Sequence, residues 1–238
     1  MKIALIGYGK MGKAIEEIAL QKGHEIVLKI DVNSIADFTK ENLQKAEVAI
    51  EFTGPLTAYE NITKCLEWKV PVVSGSTGWL DQFEKAKELC EQKNGCLIYA
   101  SNFSIGVNLF FEINKQLAQI MEPYNQYDVS MTETHHTEKK DAPSGTAISL
   151  AEQILAQLGR KKKWVNAETN NSEDLLIRSL RIDPAPGTHT INYNSSIDSI
   201  EITHTAHSRK GFAAGALLAA EFANKKRGIF TMKDVLGL

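Results

Sequence analysis

The residues best suited to chemistry lie between Glu133 and Ala147, which read Glu-Thr-His-His-Thr-Glu-Lys-Lys-Asp-Ala-Pro-Ser-Gly-Thr-Ala. Two histidines and two lysines stand close to a helix start made of Ser144, Gly145 and Thr146, with Pro143 just before it. Hydroxyls and backbone N–H groups at the start of a helix form a natural carboxylate site. Lys139 and His136 add positive charge there, and His135 can exchange protons near neutral pH. A metal held by Glu133, His135 and His136 is conceivable. Adjacent histidines on extended chain point to opposite faces, however, so shared ligation is awkward and no metal is expected.

A second chemical signature opens the chain. Residues 7–12, Gly-Tyr-Gly-Lys-Met-Gly, match GxGxxG between an apolar run and a helical pattern, the context a dinucleotide site requires. Gly7 permits a tight turn, Gly9 lets backbone approach a pyrophosphate, and Gly12 permits close helix–strand packing. Tyr8, Lys10 and Met11 complete the loop, whose helix start attracts phosphate. Asp31 closes the next apolar run, where its carboxylate can accept hydrogen bonds from an adenosine ribose. An ionised Asp31 repels a 2′-phosphate, and Val32, Asn33 and Ser34 supply no arginine to neutralise one. NADH is therefore expected over NADPH, with dual use allowed. Three more segments sit at strand ends: Phe52 to Pro55, Gly75-Ser76-Thr77-Gly78, and Ala100-Ser101-Asn102-Phe103-Ser104. Any one of them suits an ordinary turn, but three beside a dinucleotide fingerprint favour a cofactor cleft.

The elements that must position these residues follow from periodicity. Strand-like runs at Lys2–Ile6, Glu25–Ile30, Ala46–Phe52, Val70–Ser74 and Cys96–Ala100 alternate with helical patterns at 11–22, 59–67 and 80–92. That alternation predicts an α/β, Rossmann-type doubly wound parallel sheet with both faces covered. After about residue 103 the grammar changes. A long helix over 107–121 precedes a strand at 127–133 and an amphipathic helix at 146–158. Three strand-like runs at 175–182, 189–194 and 199–206 then follow with only turns between them. This predicts an α+β unit with a mixed, largely antiparallel sheet, followed by a final helix over 212–224.

Composition bounds the function class. The 238 residues are 43% hydrophobic and 24% charged with net charge −2, so the chain is globular and has no electrostatic case for a nucleic-acid partner. No run of 18 apolar residues exists to span a membrane, and Lys10 and Lys13 interrupt any secretory leader, so a soluble protein is expected. Three cysteines without a CxxC pair argue against a disulfide framework and for a reducing cytoplasm. The basic run Arg160 to Lys163 reads as a solvated face.

The stretch His-His-x-x-Lys-x-Asp-Ala-Pro-Ser-Gly-Thr-Ala closely resembles the 4-hydroxy-tetrahydrodipicolinate reductase family of lysine and diaminopimelate biosynthesis. The resemblance covers essentially the whole chain. It includes Gly-Ser-Thr-Gly at 75–78, Ala-Ser-Asn-Phe-Ser-Ile-Gly-Val-Asn at 100–108, and His-Thr-Ala-His-Ser-Arg-Lys-Gly-Phe at 204–212. It implies a nicotinamide cofactor lined by residues 7–12, Asp31, Gly75, Ser76, Thr77, Ala100, Ser101, Asn102 and Phe103. It implies a small dicarboxylate substrate held by His136, Ser144, Gly145 and Thr146 beside Lys139, with His135 and Lys139 in acid/base chemistry. It further implies a dinucleotide domain of 1–103 with 210–238, a substrate and oligomerisation domain of 104–209, a homotetramer, and Arg209 near a hinge or tetramer contact. The chain departs from the family in three places. Its glycine loop is one residue shorter than in many relatives, Asp183 replaces a usual glycine, and Val32 stands where some relatives have arginine. The carboxylate loop argues against a sugar or amino-acid dehydrogenase, since sugar sites have no need of two anion anchors, and a nicotinamide sensor has no use for a proton donor, so both alternatives rank lower.

Overall fold

The computed structural model describes residues 1–208 and 210–238; Arg209, with its expected hinge role, lies outside the described residues. The chain begins with β1 (Lys2–Ile6), α1 (Lys10–Gln21), β2 (Glu25–Ile30), α2 (Lys40–Leu43) and β3 (Val48–Glu51). It continues with α3 (Ala58–Glu67), β4 (Val72–Ser74), α4 (Phe83–Gln92), β5 (Cys96–Tyr99) and α5 (Ile105–Met121). Then come β6 (Asp128–His135), α6 (Gly145–Gln157), β7 (Lys163–Val165), β8 (Asp174–Arg181), β9 (Thr188–Asn194) and β10 (Ser199–Thr205). The C-terminal part holds α7 (Lys210–Ala223), β11 (Gly228–Phe230) and α8 (Met232–Leu236).

These elements form two compact units, residues 1–105 with 210–238, and residues 106–208. The first contains a six-stranded sheet in the order β11-β5-β4-β3-β1-β2, parallel throughout. Its central strands are buried on both faces, which is why their sequences are almost wholly apolar rather than alternating. One face packs Ile62, Leu66, Trp79 and Ala86 from the α3 and α4 side. The other packs Ile15 and Ala19 of α1 with Ala213, Ala216, Leu217 and Ala220 of α7. Small residues on α7 bring that helix close. A Cβ on Gly215 would stand 1.7 Å from the Phe103 carbonyl oxygen. The strand order reverses at β1, with β2 on one side and β3 on the other, and that switch point opens a crevice at the strands' carboxyl ends. Strand β11 was not legible in the sequence. Three residues, Gly-Ile-Phe, carry no periodicity of their own and become a strand only by pairing with β5.

The second unit contains a five-stranded sheet, β10-β9-β6-β8-β7, mixed as expected. Its antiparallel share is smaller than expected: β10–β9 and β9–β6 are antiparallel, while β6–β8 and β8–β7 are parallel. The cause is a crossing. Consecutive strands β8 and β9 do not pair, because β6 lies between them. The connection at 182–187 therefore passes over the carboxyl end of β6, where Ile182 N–H donates to the His135 carbonyl at 2.8 Å. On β6 the core-facing row runs Val129, Met131, Glu133, His135, so the apolar alternation ends in two buried polar residues.

The basic run at 160–163 divides: Lys162 and Lys163 are exposed as expected, while Arg160 and Lys161 are turned inward. Lys161 is 4% exposed, and its ammonium meets Asp128 at 2.6 Å and the carbonyls of Ser172 and Asp174 at 2.8 Å. Arg160 donates to the carbonyls of Met121, Glu122 and Tyr127. Arg160 and Lys161 tie the 121–128 and 172–174 segments to the end of α6 rather than facing solvent, because loop carbonyls supply the acceptors that burial demands.

Candidate active site

In the first unit the glycine loop leaves β1 and enters α1 with a division of labour visible in what each missing Cβ would meet. On Gly7, whose φ is +98°, a Cβ would lie 2.1 Å from the Phe52 carbonyl oxygen. On Gly12 it would lie 2.4 Å from the Gly7 carbonyl oxygen. On Gly9 it would meet nothing within 4 Å. The fold thus needs glycine at 7 and 12, whereas Gly9 leaves open space at the start of α1. Gly9 is also the helix N-cap and offers no side-chain cap, so the first-turn amides face an open site suited to an anionic group. Gly7 and Tyr8 both donate to the Ile30 carbonyl, at 2.9 and 3.0 Å, which ties the loop to the end of β2. There Asp31 Oδ1 accepts from Asn33 N–H at 2.7 Å and from the Ser34 hydroxyl at 3.3 Å. Tyr8 turns its hydroxyl to Glu16, and Lys29 lies 5.0 Å from the centre of its ring. These residues fit a dinucleotide at the carboxyl edge of the sheet.

The adjoining loops are held by a residue without a motif. Glu51, fully buried at the end of β3, accepts from the Ser74 hydroxyl at 2.6 Å, the Ser76 hydroxyl at 2.8 Å, the Thr53 amide at 2.9 Å and the Thr53 hydroxyl. Four donors satisfy a carboxylate that burial would otherwise penalise. The same bonds lock the 52–55 loop against the 75–78 loop. Ser76 is therefore engaged inward, and Phe103 buries its ring against Phe52 at 5.7 Å, leaving backbone as the part of each that faces outward. Gly75 is required because a Cβ there would enter the Phe52 ring at 2.1 Å. Thr77 and Ser101 are exposed; Asn102 Oδ1 caps the Ser104 amide at 2.9 Å, and Ala100 N–H donates to Ser74 at 3.3 Å.

In the second unit the strand end of β6 gathers titratable groups. Glu133, fully buried, places Oε2 on His135 Nδ1 and Oε1 on Arg181 Nη1 at 3.0 Å. Burial opposes its ionisation, but hydrogen bonds from Ser179 and Arg181 and the charges of His135 and Arg181 outweigh it and hold the carboxyl below its usual range. Burial pushes the His135 imidazole down, with Lys139 and Arg181 adding to the effect and Glu133 opposing it. His189 on β9 lies with its ring edge-on to His135 at 5.2 Å, and its Nε2 is 3.1 Å from the Ser144 hydroxyl. Deep burial, aided by His135, lowers His189 to about 4. Both rings are therefore neutral at pH 7. Lys139 Nζ contacts both Asp141 carboxylate oxygens at 2.8 Å. Ser144 caps α6 by accepting the Ala147 amide at 3.2 Å, and the space at Gly145 is open.

Residues 1–103 match the family model described as dihydrodipicolinate reductase, N-terminus, and residues 106–236 match its C-terminal counterpart. The chain belongs to the dihydrodipicolinate reductase family. A 4-hydroxy-tetrahydrodipicolinate reductase of Christiangramia forsetii is 52% identical over 238 residues, which is 99% of this chain and 98% of that protein. One from Neisseria meningitidis serogroup B is 35% identical over 94% of this chain and 84% of that protein. A solved dipicolinate-bound dihydrodipicolinate reductase from Paenisporosarcina sp. TG-14 has the same fold, with TM-score 0.78 and 23% identity over 97% of both chains. The family is one of pyridine-nucleotide-dependent reductases. Its activity, reduction of 4-hydroxy-tetrahydrodipicolinate, makes this chain an oxidoreductase of lysine and diaminopimelate biosynthesis. No helix among the described residues is long and apolar enough to cross a membrane.

In this reductase the structure gathers some of the sequence candidates and separates others. His135, Lys139 and Ser144 stand in one network, whereas His136 lines a cavity of about 550 Å³ with Thr137, Glu138, Asp183, Pro184 and Pro186. Among the described residues, the three whose ligand atoms come within 4.8 Å of one another are Glu133, His135 and His189, not the pair of adjacent histidines. Asp183 accepts from the Thr137 amide at 3.1 Å and the Thr137 hydroxyl at 2.6 Å. It fastens the loop that follows His136. Four residues of these networks had no role assigned from sequence: Glu51, Arg181, His189 and Asp183. None carries a local signal beyond being polar within or beside a strand. Apart from Thr53, which is local to Glu51, the partners cited for them lie 23 to 48 residues away in sequence.

Proposed function

We propose that this reductase draws on NADH in preference to NADPH and uses His135 and Lys139 to handle the proton of the reaction. A bound reduced nicotinamide supplies the hydride. The substrate, a ring carrying two carboxylates, loses its hydroxyl group as water and gains that hydride and one proton. Lys139 meets the negative charge that develops on the ring and donates the proton, with His135 as its partner. Asp141 holds the Lys139 ammonium in the structure, so the dianion replaces one carboxylate partner with another. The start of α6, with Ser144, Gly145 and Thr146, anchors a substrate carboxylate beside His136 and thereby fixes which ring face is presented. Gly7, Gly9 and Gly12 with the flanking Tyr8, Lys10 and Met11 hold the pyrophosphate, and the loops at 75–77 and 100–103 complete the cofactor site.

The observation that carries this reading is the segment from His135 to Ser144, which joins a buried, carboxylate-backed histidine to an open helix start through Lys139. The NADH preference rests on Asp31: its Oδ1 is engaged within its own turn, and neighbouring Val32 is 84% exposed and uncharged. The uncovered face of the second unit's sheet carries Ser130, Thr132, Thr190 and Thr203 opposite the buried row, a flat polar surface that supports a homotetramer. Three buried free cysteines support a cytoplasmic setting.

The test is a coupled assay. Pyruvate and aspartate semialdehyde are fed through the upstream synthase, and oxidation of NADH and of NADPH is followed separately. Turnover with at least a tenfold higher kcat/KM for NADH is expected, a margin of about 1.4 kcal/mol. A preference for NADPH overturns the Asp31 reading, and cofactor binding without turnover overturns the enzymatic one. Light scattering of the purified protein should give four times the chain mass.

A further inference from the structure

Arg181 stands where the two proton-handling residues can be tied to one another. Its Nη1 donates to Glu133 Oε1 at 3.0 Å, its Nε to the Lys139 carbonyl at 3.2 Å, and its Nη2 to the Asp141 carbonyl at 2.7 Å. One planar guanidinium therefore grips the carboxylate behind His135 and both ends of the Lys139–Asp141 turn. A lysine offers a single point charge and cannot form that fork.

Glu133 completes the link. It has no exposed surface, and its two oxygens are divided between Arg181 and His135 Nδ1. A carboxylate facing Nδ1 retains the ring proton there, which leaves Nε2 as the atom able to take up or give a proton. That atom faces Gly187. A Cβ on Gly187, whose φ is +156°, would stand 3.0 Å from Nε2, so glycine at this crossing keeps the position accessible. The charged and titratable groups facing His135 are Glu133 on its own strand, Arg181 from β8, His189 from β9 and Lys139 from the following loop.

We propose that Glu133 and Arg181 are a buried positioning pair that fixes the Nδ1–H tautomer of His135 and couples it to the Lys139 turn. The proposal deepens the assignment of His135 and Lys139 to proton handling and rests on it. Glu133 is fully buried and Arg181 engages its guanidinium with protein acceptors, so both act through other residues. They act by holding two proton carriers at a set spacing and in a set protonation state.

The decisive measurement does not depend on turnover. In the full-length protein, nitrogen NMR of ring-labelled histidine should show His135 with its proton on Nδ1. In Glu133→Gln the amide can donate to that nitrogen, and the signal should switch to the Nε2–H form. The same variant should lose ~10²-fold in kcat, the lower end for a misplaced proton donor, while KM for NADH stays unchanged. Arg181→Lys, which keeps the charge beside Glu133, should retain the Nδ1–H form yet lower kcat at least tenfold, because the Lys139 turn is released. Arg181→Ala should recover part of its lost turnover when guanidinium is added.

An unaltered His135 signal in folded Glu133→Gln overturns the tautomer claim. Wild-type kcat in Arg181→Lys overturns the coupling claim. If the tautomer switches as expected but His135→Gln and Lys139→Ala both turn over normally, the pair positions a histidine the reaction does not use. In that case the acid/base assignment fails, and the geometry of the pair does not.

Discussion

The two units build their sites from opposite materials. The carboxyl edge of the first sheet presents backbone: Gly7, Gly12 and Gly75 are there because any side chain would strike a neighbour, and Gly9 leaves space. The strand end of the second sheet presents side chains whose charges are matched in a chain, Arg181 to Glu133 to His135, with Lys139 on Asp141 beside it. Phosphates are bound well by many weak, fixed dipoles at a helix start, and a cofactor that must come and go needs no proton exchange there. Proton transfer needs one or two groups in defined protonation states, which burial and neighbouring charges supply. A substitution at the first site should therefore act through shape and binding, and one at the second through charge and turnover.

The contrast is tested most severely at Lys139. Lys139→Ala should lower kcat by about 10²-fold or more with little change in thermal stability, as expected for loss of a general acid. Turnover near normal in steady-state assays would remove the distinction at its strongest point. Acid titration tests the same side. His189 takes up its proton only at about 4 in the folded chain, against 6.5 when unfolded. Between those values the unfolded state binds the additional proton, so His189 leaves stability unchanged above pH 7 and lowers it as pH drops through the window, by up to about 3 kcal/mol. The depressed His135 and Glu133 add to the loss in the same direction. Hydrogen exchange of β6, β8 and β9 at pH 7 and pH 4 should show it, and equal protection at both would sink the idea.

The glycines give the matching test of the first unit. Gly7→Ala should destabilise by about 2 kcal/mol or more, from strain at positive φ and collision with the Phe52 carbonyl. Gly9→Ala should change stability by less than about 0.5 kcal/mol and raise KM for NADH roughly tenfold. Melting temperatures compared with KM separate the two; similar behaviour of both variants would show that Gly9 serves packing after all. An effect confined to one of the two cofactors is expected at Asp31. Asp31→Ala should weaken NADH about tenfold through the lost charged hydrogen bond and leave NADPH nearly unaffected, so the preference between them narrows. A competition assay with both cofactors reads this directly.

Much of the scaffold was legible because its causes are local. Lys2–Ile6 and Glu25–Ile30 are strands over the residues where the apolar runs begin and end, and helix α6 starts where Ser144 can cap it. The segment from His135 to Thr146 is contiguous in sequence, so its candidates could be named together. Glu51, Arg181 and His189 were not legible in this way. Each looks like an ordinary polar residue of a strand until β3 lies beside β4, or until β6 is threaded between β8 and β9. Lys161 misled for the same reason: its acceptors at Asp128, Ser172 and Asp174 are distant in sequence, and a basic run read alone looks solvated.

What the amino-acid order determined by itself is most of the helices and strands, the glycine turn at the start of α1 and the histidine–lysine segment ahead of α6. These depend on short-range sterics, on periodicity and on capping. Only the tertiary structure decided which nitrogen of His135 faces a carboxylate, which cation balances that carboxylate and which loops Glu51 binds together. Buried charges must find partners, and the partner is chosen by how strands are ordered in a sheet rather than by nearness along the chain.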